Sequence, residues 1–385
     1  MARYIDQYIR NEVEQERLDQ VELLAERFAK KAAIHDQEGS FPFENFKDLR
    51  DMGYLKLTVP RIYGGDEISL YEMVQVQERL AYGDGSTALA VGWHLGQTLH
   101  LRMSGKWPDK LYADLCRDIV NKGTMMNVFA SEAGTGSPSR GGKPETTAER
   151  TEGGWFITGR KTFSTLSPIL DRFVVTAYVP EEDTVSEFLI QRSERTTIDE
   201  TWNTLGMRGT GSHDVVLDEA FVPEESRITG TGVDDGGGWL LHIPACYMGI
   251  ALAARDYALE FAKSYKPSSV QASIATLPTV QQSIGKMEAE LRVARSVLYE
   301  AAERWDKNPL ERPGMRAQLG LAKYTVTNNA ITVVDLAMRI VGGSSLSKDL
   351  PLERFYRDIR AGLHNPPMDN TVLNQLAAEA LNEDC

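Results

Sequence analysis

Between Met125 and Pro223 apolar residues recur with a period of two, and on both sides of that block they recur with the period of a helix. A strand turns alternate side chains to opposite faces, whereas a helix returns to one face every 3.6 residues, so the two patterns cannot be exchanged. The 385 residues are therefore laid out as α, then β, then α. Phe173–Val179, Ser186–Ile190 and His213–Pro223 are rich in β-branched residues and bounded by turn breakers, as strands are. Upstream, Val13–Lys31 places Leu18, Val21, Leu24, Ala25 and Phe28 on one helical face. Ser69, with Glu72 three residues on, has the spacing of a capping box and predicts a helix to Tyr82. Gly83–Ser86 should break it before a further helix, Thr87–Leu101. Downstream, the glycine run after Asp234-Asp235 marks a boundary. Helices are then predicted over Ile243–Lys263, Thr279–Asp306 and Met315–Val341, the second supported by Glu288 and Arg292 at i, i+4. The reading is an α+β fold: a helical domain over 1–122, a β-domain over 123–235 and a helical bundle over 236–385.

Composition removes several functions. The formal net charge is −13, whereas a nucleic-acid or anionic-membrane binder carries a basic footprint. No run approaches the roughly 18 apolar residues of a membrane span. The first residues lack the apolar core of a signal peptide, so a cytoplasmic protein with no membrane partner is expected. Cys116, Cys246 and Cys385 are too few and too scattered for a disulfide framework or a zinc site, and no metal is expected.

The chemistry concentrates in Asn127–Thr176. An apolar strand breaks into a loop of small residues, Ala133–Ser137, in which Gly134 and Gly136 leave backbone N–H groups uncovered. Ser131, Thr135 and Ser137 add hydroxyls for an oxygen-rich ligand. A strand resumes at Trp155–Thr158, Gly159-Arg160-Lys161 is expected to turn it, and Thr162–Thr165 to follow as a second strand end. Hydroxyls and the aromatic Phe163 together make a wall for a flat polar ring.

These segments resemble the acyl-CoA dehydrogenase family. S-E-A-G-T-G-S-P and G-R-K-T-F-S-T are similar to its T-E-P-x-A-G-S-D loop and G-x-K-x-W-I-T strand. V-P-R-I-Y-G-G followed by E-R-L-A-Y-G-D-G-S-T-A is similar to its N-terminal domain, and L-G-M-R-G-T-G-S to the turn before its last β-domain strand. R-I-V-G-G-S-S-L-S-K-D-L-P-L-E-R-F-Y-R-D is similar to its C-terminal Gly-Gly and R-D signature. The resemblance spans essentially the whole chain. It implies a β-barrel or sandwich between helical domains, the last a four-helix bundle. It implies bound FAD, or alternatively FMN, held by Val128, Ala130, Ser131, Ser137, Phe163, Ser164 and Thr165. It also implies that Gly342 and Gly343 meet the diphosphate end of a neighbouring subunit's flavin, hence a homodimer or homotetramer. The implied activity is α,β-dehydrogenation of an acyl-CoA-type substrate, with an electron-transfer flavoprotein as acceptor.

The chain departs from the family where the base should be. Aligned from Arg357-Asp358 without gaps, the usual glutamate falls on Pro366, which cannot take a proton. The alternative glutamate, early in the first C-terminal helix, falls near Trp239. Asp369 is the nearest carboxylate, either a displaced base or a helix cap. His364 is the other candidate, an acid or base or else an interfacial histidine. Arg208 pairs with a phosphate or carboxylate, or is a solvated turn residue. The R-D-I-R-A-G-L-H-N-P ending is also similar to the flavin-dependent monooxygenase branch, which uses reduced flavin from a flavin reductase and needs no such base. Ser164 suits that branch, as does His94 if it faces the pocket.

Overall fold

The computed structural model describes residues 3–135 and 142–382. The N-terminal helices start where the sequence places side-chain caps. Asn11 accepts from the Glu14 amide to begin α1 (Glu12–Glu38), and α2 spans Phe43–Asp51. Ser69 and Glu72 form the full capping box on α3 (Leu70–Gly83). The break after α3 is narrower than expected. Asp84 alone leaves the helical geometry, and its carboxylate caps α4 (Gly85–Ser104) at once by accepting from the Ser86 amide. α5 (Asp109–Lys122) leads into the sheet.

The middle segment forms one mixed sheet from β1 (Met126–Phe129), β2 (Thr147–Thr151), β3 (Gly154–Lys161), β4 (Arg172–Val179), β5 (Thr184–Gln191), β6 (Thr196–Asp199), β7 (Asp214–Pro223) and β8 (Arg227–Ile228). The strand order is β6-β7-β3-β2-β4-β5-β8, with β1 parallel to β4 in the register Met126 to Arg172. Gly159-Arg160-Lys161 does not turn the chain. β3 runs through to Lys161, and its ladder to β7 slips register between Ile157 and Gly159. Glycine is required there by closeness, since a Cβ would collide with Thr146, the residue before β2. Thr162–Thr165 leave the sheet altogether, with Phe163 and Leu166 at φ of 55° and 71°.

The C-terminal part contains α6 (His242–Ser264), α7 (Pro278–Lys307), α8 (Arg316–Val341), α9 (Pro351–Ile359) and α10 (Asp369–Asn382). α8 packs along α6 and α7, and α6 packs against α3. Glu288 does not use its i+4 arginine; it accepts from Arg255 on α6 at 2.6 Å. A second inter-helix pair, Arg295 with Glu78, is fully buried where α7 meets α3. The two helical parts thus share one apolar core. Among the described residues no helix is long and apolar enough to cross a membrane.

Candidate flavin site

The loop after β1 is fixed by charge. Glu132 and Lys161 form an ion pair excluded from solvent, and Glu132 also accepts from the hydroxyl and amide of Thr146 and the amide of Glu145. Burial pushes the Glu132 carboxyl up, but these donors outweigh it and hold it below its ordinary value. Burial lowers Lys161, against the pull of Glu132. The lysine expected in a turn is therefore the anchor of the small-residue loop. Ser137 lies outside the described residues, as does Cys385.

Beside this anchor the chain end of β1 meets the loop after β3. The Thr162 amide donates to the Ser131 carbonyl at 2.9 Å, and the Asn127 amide group donates to the Thr165 carbonyl at 3.1 Å. Val128, Ala130 and Ser131 stay half-buried along the rim, as does Thr165. Ser164 is fully buried; its amide donates to the His213 carbonyl and its hydroxyl reaches back to the Lys161 carbonyl at 3.4 Å. Phe163 stands out at 69% exposure on a left-handed backbone, with its ring edge-on to Trp202 at 5.9 Å. Five of the expected contact residues therefore share one rim with Ser164 beneath it. Gly342 and Gly343 lie elsewhere, exposed in a 3-10 turn after α8, with nothing within 4 Å of where a side chain would begin.

The segment before β7 completes the wall. Thr165, Ser212 and Thr210 link hydroxyl to hydroxyl at 2.9 and 2.8 Å, and Thr210 donates to the Met207 carbonyl, which also accepts from the Trp202 indole N–H at 3.0 Å. His213 accepts the Trp202 amide on Nδ1 at 3.1 Å, and burial lowers its pKa. The sequence pointed only to Arg208 in this stretch; the hydroxyls of G-T-G-S-H were the overlooked signal. Arg208 pairs with no carboxylate among the described residues and is not a free turn residue. Its guanidinium donates to the Asp36 and Thr204 carbonyls, tying the turn to the end of α1.

The Arg357-Asp358 signature clamps the same segment from below. Asp358 accepts the Met207 amide at 2.6 Å, and Arg357 spans Asp36 and the Leu205 carbonyl. Burial raises Asp358 to about 6, against Arg354 and the Met207 hydrogen bond. Asp369 is the first residue of α10 rather than its cap. It accepts from Lys323 at 3.1 Å and from Asn328 at 3.0 Å, both on α8. His364 is exposed, and its imidazole makes no hydrogen bond among the described residues; its neighbour Asn365 accepts from the Tyr247 hydroxyl on α6. His94 does not face a pocket. It is fully buried, with Nε2 on the Leu55 carbonyl and Nδ1 accepting from the Met126 amide.

These residues fit a flavin. Phe163 is an aromatic ring held out of the core with a hydroxyl row beside it, a surface that a flat heteroaromatic ring would cover. The exposed Gly342-Gly343 turn offers uncovered backbone to an anionic group.

Comparison with known proteins agrees. The acyl-CoA dehydrogenase N-terminal, middle and C-terminal domain models match residues 11–106, 127–220 and 241–363 in that order. YdbM of Bacillus subtilis, a candidate acyl-CoA dehydrogenase, is 46% identical over 97% of this chain and 98% of its own length. The amino sugar nitrososynthase RubN8 of Streptomyces rubradiris is 30% identical over 92% of this chain and 87% of its own. The structure of KijD3 in complex with FMN and an amino-keto sugar nucleotide superimposes with a TM-score of 0.84, at 25% identity over 96% of this chain and 94% of that one. The chain belongs to the acyl-CoA dehydrogenase family of flavoprotein oxidoreductases.

Proposed function

We propose that this protein is a flavin-dependent monooxygenase that oxidises a small molecule with molecular oxygen, taking reduced FMN or FAD from a separate flavin reductase. The observation that carries the reading is the state of the carboxylates. Asp369 is engaged by Lys323 and Asn328, Asp358 is buried beneath the Met207 amide, and the family's usual position is Pro366. The segment between Arg360 and Asp369 has a single titratable side chain, His364. Dehydrogenation needs a carboxylate to remove an α-proton; oxygenation does not. Bound reduced flavin supplies two electrons, and one oxygen molecule then leaves one atom on the substrate and the other in water.

In this reading Phe163 and Trp202 form the wall of the ring, and Val128, Ala130, Ser131 and Thr165 line its edge. Ser164 offers a small hydroxyl beneath it, and His364 accepts or returns a proton at the substrate. Gly342 and Gly343 reach the flavin of a second subunit, so the working form is a homodimer or homotetramer. The likeness to RubN8 and KijD3 supports this class. The likeness to YdbM favours a second reading, FAD-dependent α,β-dehydrogenation of an acyl-CoA with Asp369 as base and an electron-transfer flavoprotein as acceptor.

Anaerobic titration of the flavin-loaded protein with a panel of acyl-CoA esters decides between them. The expected result is no bleaching, together with tighter binding of reduced than of oxidised flavin. Bleaching by any acyl-CoA, abolished in Asp369→Asn, would replace the first reading with the second.

A further inference from the structure

His213 holds both halves of the aromatic wall at the candidate flavin rim. Its carbonyl accepts the Ser164 amide at 3.1 Å, which fixes the turn that carries Phe163. Its Nδ1 accepts the Trp202 amide at 3.1 Å, which fixes the segment that carries the second ring. The two rings then meet edge-on at 5.9 Å. Residues on either side of His213 stitch the same two segments. Ser212 meets the Thr165 hydroxyl at 2.9 Å, and the Thr201 hydroxyl donates to the Asp214 carboxylate at 3.0 Å while accepting the Asp214 amide at 3.1 Å. The start of β7 is thus a clasp between residues 162–166 and 199–204.

The ring bond of His213 differs from the others in its dependence on charge. Hydroxyls and carbonyls go on accepting as the pH falls to 5. An imidazole nitrogen accepts only while its lone pair is free, so the bond from Trp202 puts the neutral ring's single proton on Nε2. A second proton would set N–H against N–H and leave the Trp202 amide without its acceptor. The ring is half-buried, and burial lowers its pKa from 6.5 against the pull of Glu200, Asp214 and Asp199. Asp214 and Asp199 are already engaged by Arg160 of β3. Lys161, next on β3, is committed to Glu132, and Arg208 to the Asp36 and Thr204 carbonyls. The turn at 162–166 brings no titratable side chain. The neutral ring and its contact are therefore the state at pH 7, and both are lost as pH falls through the folded pKa, below 6.5.

We propose that His213 is a positioning residue whose neutral imidazole holds Trp202 in the flavin wall, so that acidification loosens the wall and weakens flavin binding. The assignment rests on the flavin lying at this rim and is independent of which of the two reactions follows. His213 acts through Trp202, since its Nδ1 is occupied by backbone.

Two variants test it. His213→Asn offers an amide oxygen in place of Nδ1 and does not titrate, whereas His213→Leu offers no acceptor. The first readout is hydrogen exchange at the Trp202 amide in flavin-free protein, corrected for the intrinsic rate. Wild type should be protected at pH 7 and lose about tenfold of that protection by pH 5, the Asn variant should keep it at both, and the Leu variant should lack it at both. Equal protection in wild type and the Leu variant, or the same pH dependence in wild type and the Asn variant, would overturn the assignment. The Asn arm decides it even where the Leu variant does not fold. The second readout is titration with oxidised FMN, followed by flavin fluorescence. The Leu variant should bind about tenfold more weakly at pH 7, and wild type should lose severalfold more affinity between pH 7 and 5 than the Asn variant, which shares the titration of the FMN phosphate. Exchange that follows the expected pattern while FMN affinity ignores it would overturn the flavin half of the proposal and the placing of the cofactor with it.

Discussion

His94 and His242 are equally buried, on helices that pack together, and burial lowers both, to about 4 and about 3 respectively. What separates them is hydrogen bonding. His94 is spent: Nε2 donates to the Leu55 carbonyl at 2.9 Å and Nδ1 accepts from the Met126 amide at 3.2 Å, which fixes its tautomer and joins α4 to the first strand. His242 has the same chemistry and no hydrogen-bond partner among the described residues. Two neutral imidazoles in one protein thus do opposite work. One satisfies backbone groups that would otherwise be orphaned, and the other satisfies none among the described residues.

The contrast is sharpest where the spent group is charged. Glu132→Gln leaves the buried Lys161 ammonium without its counter-charge, and a broken buried pair costs about 3–5 kcal/mol. Denaturant melts should show a loss of that size, together with loss of flavin binding as the loop after β1 lets go. Next comes His94→Phe, which orphans the Leu55 carbonyl and the Met126 amide and should cost roughly 2–4 kcal/mol. If it costs no more than His242→Phe, the distinction between the two histidines is wrong.

A pH series separates them further. Each histidine has a folded pKa below its unfolded value near 6.5, so the folded state binds fewer protons. The stability this gives is fully present above pH 6.5. It is lost as pH falls toward 4 for His94 and toward 3 for His242, at about 1.4 kcal/mol per pH unit for each ring. His242→Phe should make the acid limb shallower by about that slope without lowering stability at pH 7. An unchanged limb would mean that His242 meets solvent.

How much of this was legible beforehand follows from what each signal measures. Helix starts were readable because a cap is a local event: Ser69 and Glu72 are three residues apart and need nothing else. The α, β, α division was readable because periodicity reports which face is buried. Lys161 was misplaced because a glycine beside two cations looks like a turn, whereas Gly159 is there for the close approach of Thr146 and Lys161 for Glu132, 29 residues away. Trp202, Thr210 and Ser212 were passed over, since their hydrogen-bonded chain exists only after the segment before β7 folds onto Thr165. His242 carries no sequence signal at all. Its meaning lies in the missing partners, and a sequence does not list those.

Asp358 gives the smallest effect and reverses the sign. Burial raises it from an ordinary 3.8 to about 6, so the folded state binds more protons than the unfolded one between those values. Stability from this group is present below pH 4, declines as pH rises to 6 and is flat above, opposite to the histidines. A shift of about two units corresponds to about 3 kcal/mol at pH 7. Asp358→Asn keeps an oxygen for the Met207 amide and removes the buried charge, but its own amide protons would lack acceptors at about 1–3 kcal/mol. The net expectation is a gain of about 1 kcal/mol at pH 7 and loss of the opposing slope between pH 4 and 6, both read from denaturant melts across that range. If the variant is less stable at neutral pH and the slope persists, then Arg354, whose charge lowers Asp358 most, already holds the aspartate ionised. Asp358 would then join Glu132 and His94 among the groups whose partners lie within the chain, in contrast to His242.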